Sequence, residues 1–386
     1  MRPALARRAA GLLGALLAYA WPAGHSTWVR AMRCEIDHVE DDVAALRFAL
    51  GCLWGGCRES EPEPESISPN HQGDSPMSLD SRLEPRTAGI ACALAATALG
   101  LFYLAAAGAP ARYLVVNAAA CLLGLVALRA LDASRIAAGR LAAPALTAGG
   151  LGLLAVALLG ASADGAARWI WIGPLSVQLS LVFLPAMLVA FARSPGPGGA
   201  LGIAVAALAL ALQPDRAMAA VLAFALGVLA VARPGRFPIA VFAVSLGALA
   251  ATFLRPDSLP AVPFVDRIFY TAFDVHPAVG AAVLLGALLL LLPAAVGLRG
   301  DSCRRGTCLV FAATWLGCLL AAALGNYPTP VVGYGGSAIL GYLLSVGFLP
   351  GREALATITA SAPAADAAQD PAALRAACSK GAVQLA

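Results

Sequence analysis

The sequence predicts an all-α protein, a polytopic transmembrane helix bundle of about ten spans behind an N-terminal helical appendage. Three observations carry that expectation. Hydrophobic residues make up 60% of the 386 and charged residues only 12%, with mean hydropathy +0.79, whereas soluble domains are nearer half apolar and a quarter charged. From Gly89 onward apolar runs follow one another at close spacing, and a run of about 20 such residues crosses the hydrocarbon core as a helix. Arginines gather at the ends of these runs, as membrane orientation requires. They account for the net charge of +4, so the basic balance implies no nucleic-acid partner.

Residues 1–58 read as the appendage, cytoplasmic or interfacial. A basic start and a short apolar run, LARRAAGLLGALLAYAW, continue directly into a helical stretch, which argues against a cleaved leader. Its acidic residues Glu35, Asp37, Glu40, Asp41 and Asp42 surround His38. They form either a metal site or, more commonly for such runs, a solvated helix face paired with Arg33 and Arg47. Residues 59–85 are rich in Pro, Ser and acid, too poor in apolar content to offset the entropy of ordering, and read as a disordered linker. The membrane domain is expected over 86–350, and an Ala-rich, mobile tail over 351–386.

The predicted spans are Gly89–Ala107, Tyr113–Ala130, Ala143–Ser162, Pro174–Ala192, Ala200–Leu212, Ala217–Ala232, Phe237–Leu254, Ala278–Leu298, Thr307–Leu324 and Val331–Leu349. With alternating spans, Arg82, Arg86, Arg129, Arg135, Arg140, Arg193, Arg233, Arg236, Arg299, Arg304, Arg305 and Arg352 share one side, read as cytoplasmic. Arg112, Arg168, Arg216, Arg255 and Arg267 fall on the other. The short run Ala200–Leu212, cut off by Gln213-Pro214-Asp215, reads as part of a discontinuous helix whose polar break lines a cavity. Asp215 is therefore a site candidate, or else an acid paired with Arg216. Of nine cysteines, Cys92, Cys121 and Cys318 lie in apolar runs as small hydrophobes. Cys303 and Cys308 flank an expected cytoplasmic loop with no His near enough for zinc. Neither metal nor cofactor is called for.

Two polar interruptions stand out. In ADGAARWIWIGPLSVQLS, Gly165, Gly173 and Pro174 break helix, and Arg168 lies beside Trp169 and Trp171, rings that favour a membrane interface. In NYPTPVVGYGGSAILGYLLSVG, two prolines and a Gly-Tyr-Gly-Gly-Ser turn lead into an apolar run. The first contains ARWIWIGPLSVQLS and the second PTPVVGYGGSAILGYLLSVGFL, and both resemble signatures of the FtsW/RodA/SpoVE family, the SEDS peptidoglycan glycosyltransferases. LQPDRAMAAVLAFALGVL and FVDRIFYTAFDVHPAVGAAVLLGALLLLL are similar to two further family segments. The four fall in the family's order, and the resemblance extends over about residues 82–349.

The resemblance implies a membrane enzyme of the bacterial inner membrane that polymerises lipid II in cell division or cell-shape control, beside a class B penicillin-binding transpeptidase. Asp266 matches the family's catalytic acid or base. Arg168 would steady pyrophosphate charge and Trp169 a sugar or lipid face. Gln178, Ser180, Asp215, Tyr334 and Ser337 would complete the substrate-binding cavity. Taken without the family, Asp266 reads more readily as a solvent-facing interfacial acid than as a catalytic group. Where the family has Glu and Lys after its Gln-Pro-Ser, this chain has Leu181 and Leu184, and only about ten residues separate Leu254 from Phe264 in place of a long outer loop. A non-catalytic scaffold holding a transpeptidase, and a lipid-precursor transporter, are the alternative functions.

Overall fold

The computed structural model describes residues 84–131, 141–160, 168–173, 175–255, 260–298 and 302–350, together with residues 39, 41, 44 and 45. The appendage, the linker and the tail otherwise lie outside the described residues, and so does the acidic cluster apart from Asp41.

The described chain is built almost wholly of helices. They are α1 (Pro85–Ala106), α2 (Ala111–Leu131) and α3 (Ala142–Leu159), then a hairpin of β1 (Trp169–Ile172) and β2 (Leu175–Gln178). There follow α4 (Leu179–Arg193), α5 (Pro197–Leu212), α6 (Arg216–Ala232), α7 (Arg236–Thr252), α8 (Ile268–Val275), α9 (Pro277–Leu289), α10 (Leu292–Gly297), α11 (Ser302–Leu324) and α12 (Gly336–Gly347). Among the described residues, five segments are long and apolar enough to cross a membrane, and five more apolar helices are shorter, at 10–17 residues. The described chain is thus a multi-pass membrane helix bundle, in which the five long helices and the five shorter ones together match the ten expected apolar runs in number.

Helix ends follow local chemistry. Pro85, Pro197 and Pro277 open α1, α5 and α9 in the first turn, where the missing N–H costs nothing. The predicted span Ala278–Leu298 is divided between α9 and α10 just ahead of Pro293, because a proline ring clashes with the carbonyl four residues back. The break turns the Leu290 carbonyl to the Tyr342 hydroxyl, 3.1 Å away on α12. Trp315 Nε1 donates to Ser345 Oγ at 3.1 Å, and that hydroxyl donates to the Tyr342 carbonyl at 2.7 Å. These polar groups thus satisfy one another at the centre of the apolar core.

Four expectations need correction. Residues 175–178, read as part of a span, belong to the hairpin, paired Trp169 with Gln178 through Ile172 with Leu175. The aromatic and β-branched residues of WIWI, the alternation in LSVQ and a turn at Gly173, φ +60°, favour strands there. Residues 331–335, read as the start of the last span, are irregular, since their backbone groups bond to Asn117 and Phe264 rather than along a helix. Cys308 is buried inside α11 and flanks no loop.

The fourth correction concerns Gln213-Pro214-Asp215. Arg233, just past α6, donates to the Ala192 carbonyl at the end of α4, so α6 finishes where α5 began. Arg255, after α7, donates to the Leu212 carbonyl at 3.1 Å, bringing the end of α7 back to the end of α5. The three residues are a turn between antiparallel helices and interrupt no single helix. Arg193 likewise reaches the Phe348 carbonyl at 3.1 Å. The arginines that the sequence assigned to one side thus tie together one end of the bundle, and Arg168, Arg216 and Arg255 gather at the other.

Within a bilayer, helix association depends on close packing rather than on water exclusion. The tightest approach is Gly341 of α12, where an added Cβ would meet the backbone carbonyl of Leu181 on α4. Gly341→Ala is expected to destabilise the fold by about 1–3 kcal/mol, read as a lowered melting temperature in detergent. Gly247→Ala on α7, where an added Cβ meets nothing within 4 Å, is the control and should leave that temperature unchanged.

Candidate functional site

Two loops meet at the end of the bundle opposite Arg193 and Arg233. Residues 260–267 precede α8 and residues 325–335 precede α12. Thr329 N donates to the Val265 carbonyl at 2.9 Å, and Tyr334 N to the Phe264 carbonyl at 2.7 Å. Asp266 and Pro328 form an antiparallel bridge. Asn117 of α2 clamps the second loop from both sides: its Nδ2 donates to the Gly333 carbonyl at 2.8 Å, and its Oδ1 accepts from Gly335 N at 3.1 Å. Phe264, Arg267 and Val331 all have φ between 58° and 66°, uncommon for residues with a side chain and costly for β-branched valine. Such strain persists only where the surroundings over-determine it, and it concentrates at functional sites.

Asp266 is held at the centre of this weave. It is 8% exposed, and its Oδ2 accepts from Val262 N at 2.8 Å. Burial raises its pKa above the ordinary 3.8, and the Val262 N–H pulls it partly back. A carboxylate so placed moves toward the range in which it can take up a proton near neutral pH. Tyr334 stacks on Tyr113 with ring centroids 3.7 Å apart. Burial and the neighbouring Tyr113 raise the Tyr334 pKa, while Arg112 lowers it.

Two cavities share walls here, and Asp266 lines the first. One, of about 570 Å³, is polar on one side, where Arg112, Arg168, Asp266, Asn326 and Tyr327 line it with Trp169 and Trp171. The second, of about 470 Å³, is lined chiefly by apolar residues of α2, the hairpin and α12. Trp169, Gln178 and Tyr334 line both. Ser337 lines the second cavity and accepts from Gln178 N at 3.0 Å. The pair offers one compartment for a charged, hydroxyl-rich group and an adjoining one for a hydrocarbon chain.

The remaining predicted residues act one layer deeper. Asp215 is 1% exposed and caps α6, its Oδ1 accepting from Met218 N at 3.2 Å. Its Oδ2 accepts from Gln178 Nε2 and from Ser180 Oγ, each at 3.1 Å, tying the hairpin and α4 to the α5–α6 turn. Arg216 does not pair with it, lying instead over the Phe253 ring at 4.3 Å and donating to the Arg255 carbonyl. Arg168 lines the polar cavity, yet its guanidinium donates to the Pro214 carbonyl at 2.5 Å and to that of Gln213 at 3.5 Å. It therefore pins the hairpin's first strand to the same turn.

The structure adds residues that the sequence reading passed over. Arg112 is the exposed cation of the polar cavity, and Asn117 positions the second loop. A lone amide inside the apolar run LVVNAAACLL is costly unless it is used, so Asn117 could have been found that way.

No protein-family model and no curated protein matches the sequence. Among solved structures, the chain is similar to the rod shape determining protein RodA of Thermus thermophilus, at 23% identity and TM-score 0.49, covering 68% of this chain and 94% of that one. A mutant of the same protein matches at 24% identity with equal TM-score and coverage. A chain from a study of polymerization and crosslinking by a peptidoglycan synthase complex matches at 24% identity and TM-score 0.44, covering 68% of this chain and 95% of that one.

Proposed function

We propose that this chain is a glycosyltransferase that polymerises lipid II at the outer face of the bacterial inner membrane, with Asp266 as general base. The observation that carries the proposal is a buried carboxylate of raised pKa on the wall of a polar cavity that adjoins an apolar one. A lipid-linked, anionic sugar needs both compartments at once. Asp266 takes the proton from an acceptor sugar hydroxyl, whose oxygen bonds to the donor's anomeric carbon. The bond from that carbon to pyrophosphate breaks, and undecaprenyl pyrophosphate leaves. Arg112 and Arg168 supply positive charge beside the leaving group, and Trp169 offers a face to sugar or lipid.

The direct test is polymerisation of lipid II by the purified protein in detergent or nanodiscs. Polymer formed by the wild type and lost with Asp266 supports the reading, and no polymer from the wild type removes it. A second reading, a scaffold that holds a class B transpeptidase, is favoured by Leu181 and Leu184. Both are buried where the resembled family carries charge. A transporter loses its motive, because the break at Pro214 is a turn between antiparallel helices.

The ends that Arg193, Arg233 and Arg305 tie together are assigned to the cytoplasm on their basic excess. A reporter fused after Pro350 is expected to be active only in the cytoplasm. Periplasmic activity would place Asp266 on the inner face, away from the substrate proposed for it.

A further inference from the structure

Asn117 is fully buried in α2 and lines neither cavity, so it is not placed to meet a substrate in either. An amide inside a membrane span is costly unless its polar atoms are used, and both of its bonds leave the helix for one point in the second loop. Nδ2 donates to the Gly333 carbonyl and Oδ1 accepts from Gly335 N, so the side chain grips the backbone on either side of Tyr334. Tyr334 N donates in turn to the Phe264 carbonyl at 2.7 Å, which holds the second loop between Asn117 and the first. Asp266 is bracketed by that contact, two residues after Phe264 and two before Ile268. A Cβ added at Gly333 would collide with the Ile268 side chain and crowd the Phe264 carbonyl, so Gly333 packs against both. The bonds that the first loop makes to itself, from Asp266 N to the Val262 carbonyl and from Val262 N to the carboxylate, close a turn without fixing where the turn points. Phe264 and Arg267, on either side of Asp266, have φ of 65° and 58°, a strained backbone that persists only while its surroundings hold it.

We propose that Asn117 is the positioning residue for Asp266. By gripping the second loop at Gly333 and Gly335 it holds the first loop through Tyr334 and Phe264, and so fixes the carboxylate in the wall of the polar cavity. The assignment rests on the reading of Asp266 as general base. A displacement of about 1 Å that arises away from the reacting groups can cost about a hundredfold in rate, so a clamp that never touches substrate still governs turnover.

The test uses the full chain in nanodiscs and the variant Asn117→Leu, which keeps the size of the side chain and suits a membrane span but makes neither bond. Its kcat for lipid II polymerisation should fall about tenfold to a hundredfold, with KM within about twofold of wild type. In an Asp266→Asn background the same substitution should lower the rate no further, because a residue that acts through Asp266 has no base left to place. Without substrate, backbone hydrogen exchange should quicken in both loops, residues 260–267 and 325–335. Gly202→Ala, whose added Cβ would collide with the Leu146 backbone on α3, is the control for stability and should lower the melting temperature while leaving kcat unchanged. An equal loss of kcat in that control at a matched melting temperature would overturn the assignment, as would a further loss in the Asp266→Asn background. A raised KM with kcat intact would move the effect to substrate binding and overturn it too. Faster exchange confined to residues 325–335 would leave Asn117 holding its own loop alone, with the same result. A wild type that makes no polymer sinks the reading of Asp266 as base, and exchange in residues 260–267 then decides the clamp by itself: quickened exchange upholds it and unchanged exchange removes it.

Discussion

Asp266→Asn is expected to lower the rate of lipid II polymerisation by about two to four orders of magnitude, the usual contribution of a positioned general base. The substitution keeps the shape of the side chain, and an amide oxygen can still accept from Val262 N, which donates to Asp266 at 2.8 Å. Only basicity is lost. The pH dependence gives a second reading of the same residue. Burial favours the neutral acid and raises its pKa above 3.8, so the active carboxylate forms only as pH rises through that raised value. The acid limb of the wild-type rate should therefore lie above the ordinary carboxylate range.

Stability runs the opposite way. A carboxyl whose folded pKa is raised contributes its full stability below the unfolded value and loses it as pH rises through the folded one. At neutral pH the ionised Asp266 is thus a burden on the fold, and the asparagine variant should melt no lower than wild type. Lost activity together with lost stability would reduce Asp266 to a structural residue. Normal polymerisation by the variant would reject it as the base.

The second large effect is expected at Asp215. Asp215→Ala removes the cap of α6, worth about 1 kcal/mol, and leaves the Gln178 amide and the Ser180 hydroxyl without the carboxylate they share. Gln178 Nε2 keeps Ser180 Oγ at 3.1 Å, so one buried group, the Ser180 hydroxyl, loses its acceptor at a cost of about 1–3 kcal/mol; with the cap a total loss of about 2–4 kcal/mol is expected, read as a lower melting temperature. Asp215→Asn, which can still accept from Met218 N, should cost distinctly less. Because the hairpin carries Trp169 and Gln178 into both cavities, Asp215→Ala should also weaken substrate binding. Full stability of the alanine variant with binding lost would instead make Asp215 a direct ligand.

How the sequence and the fold divide this protein can be seen residue by residue. The spans were legible because hydropathy over some twenty residues is a local quantity, and α1, α2, α3, α6 and α7 begin or end within a few residues of their expected bounds. Pro293 was passed over inside the expected span Ala278–Leu298, which the structure divides just ahead of it. Asp266, Arg168, Trp169, Tyr334 and Ser337 could be nominated from four motifs, and they line the two adjoining cavities. What each does was not legible. Gln178, Ser180 and Asp215 lie 35 to 37 positions apart in their hydrogen-bonded pairs, and Asn117 lies 216 positions from Gly333. Sequence pattern fixes which side chains are polar and where helices pass, since those follow from neighbours along the chain. Which polar groups face the cavity and which are spent in holding its wall is set by contacts between distant segments, and only the packed bundle decides that.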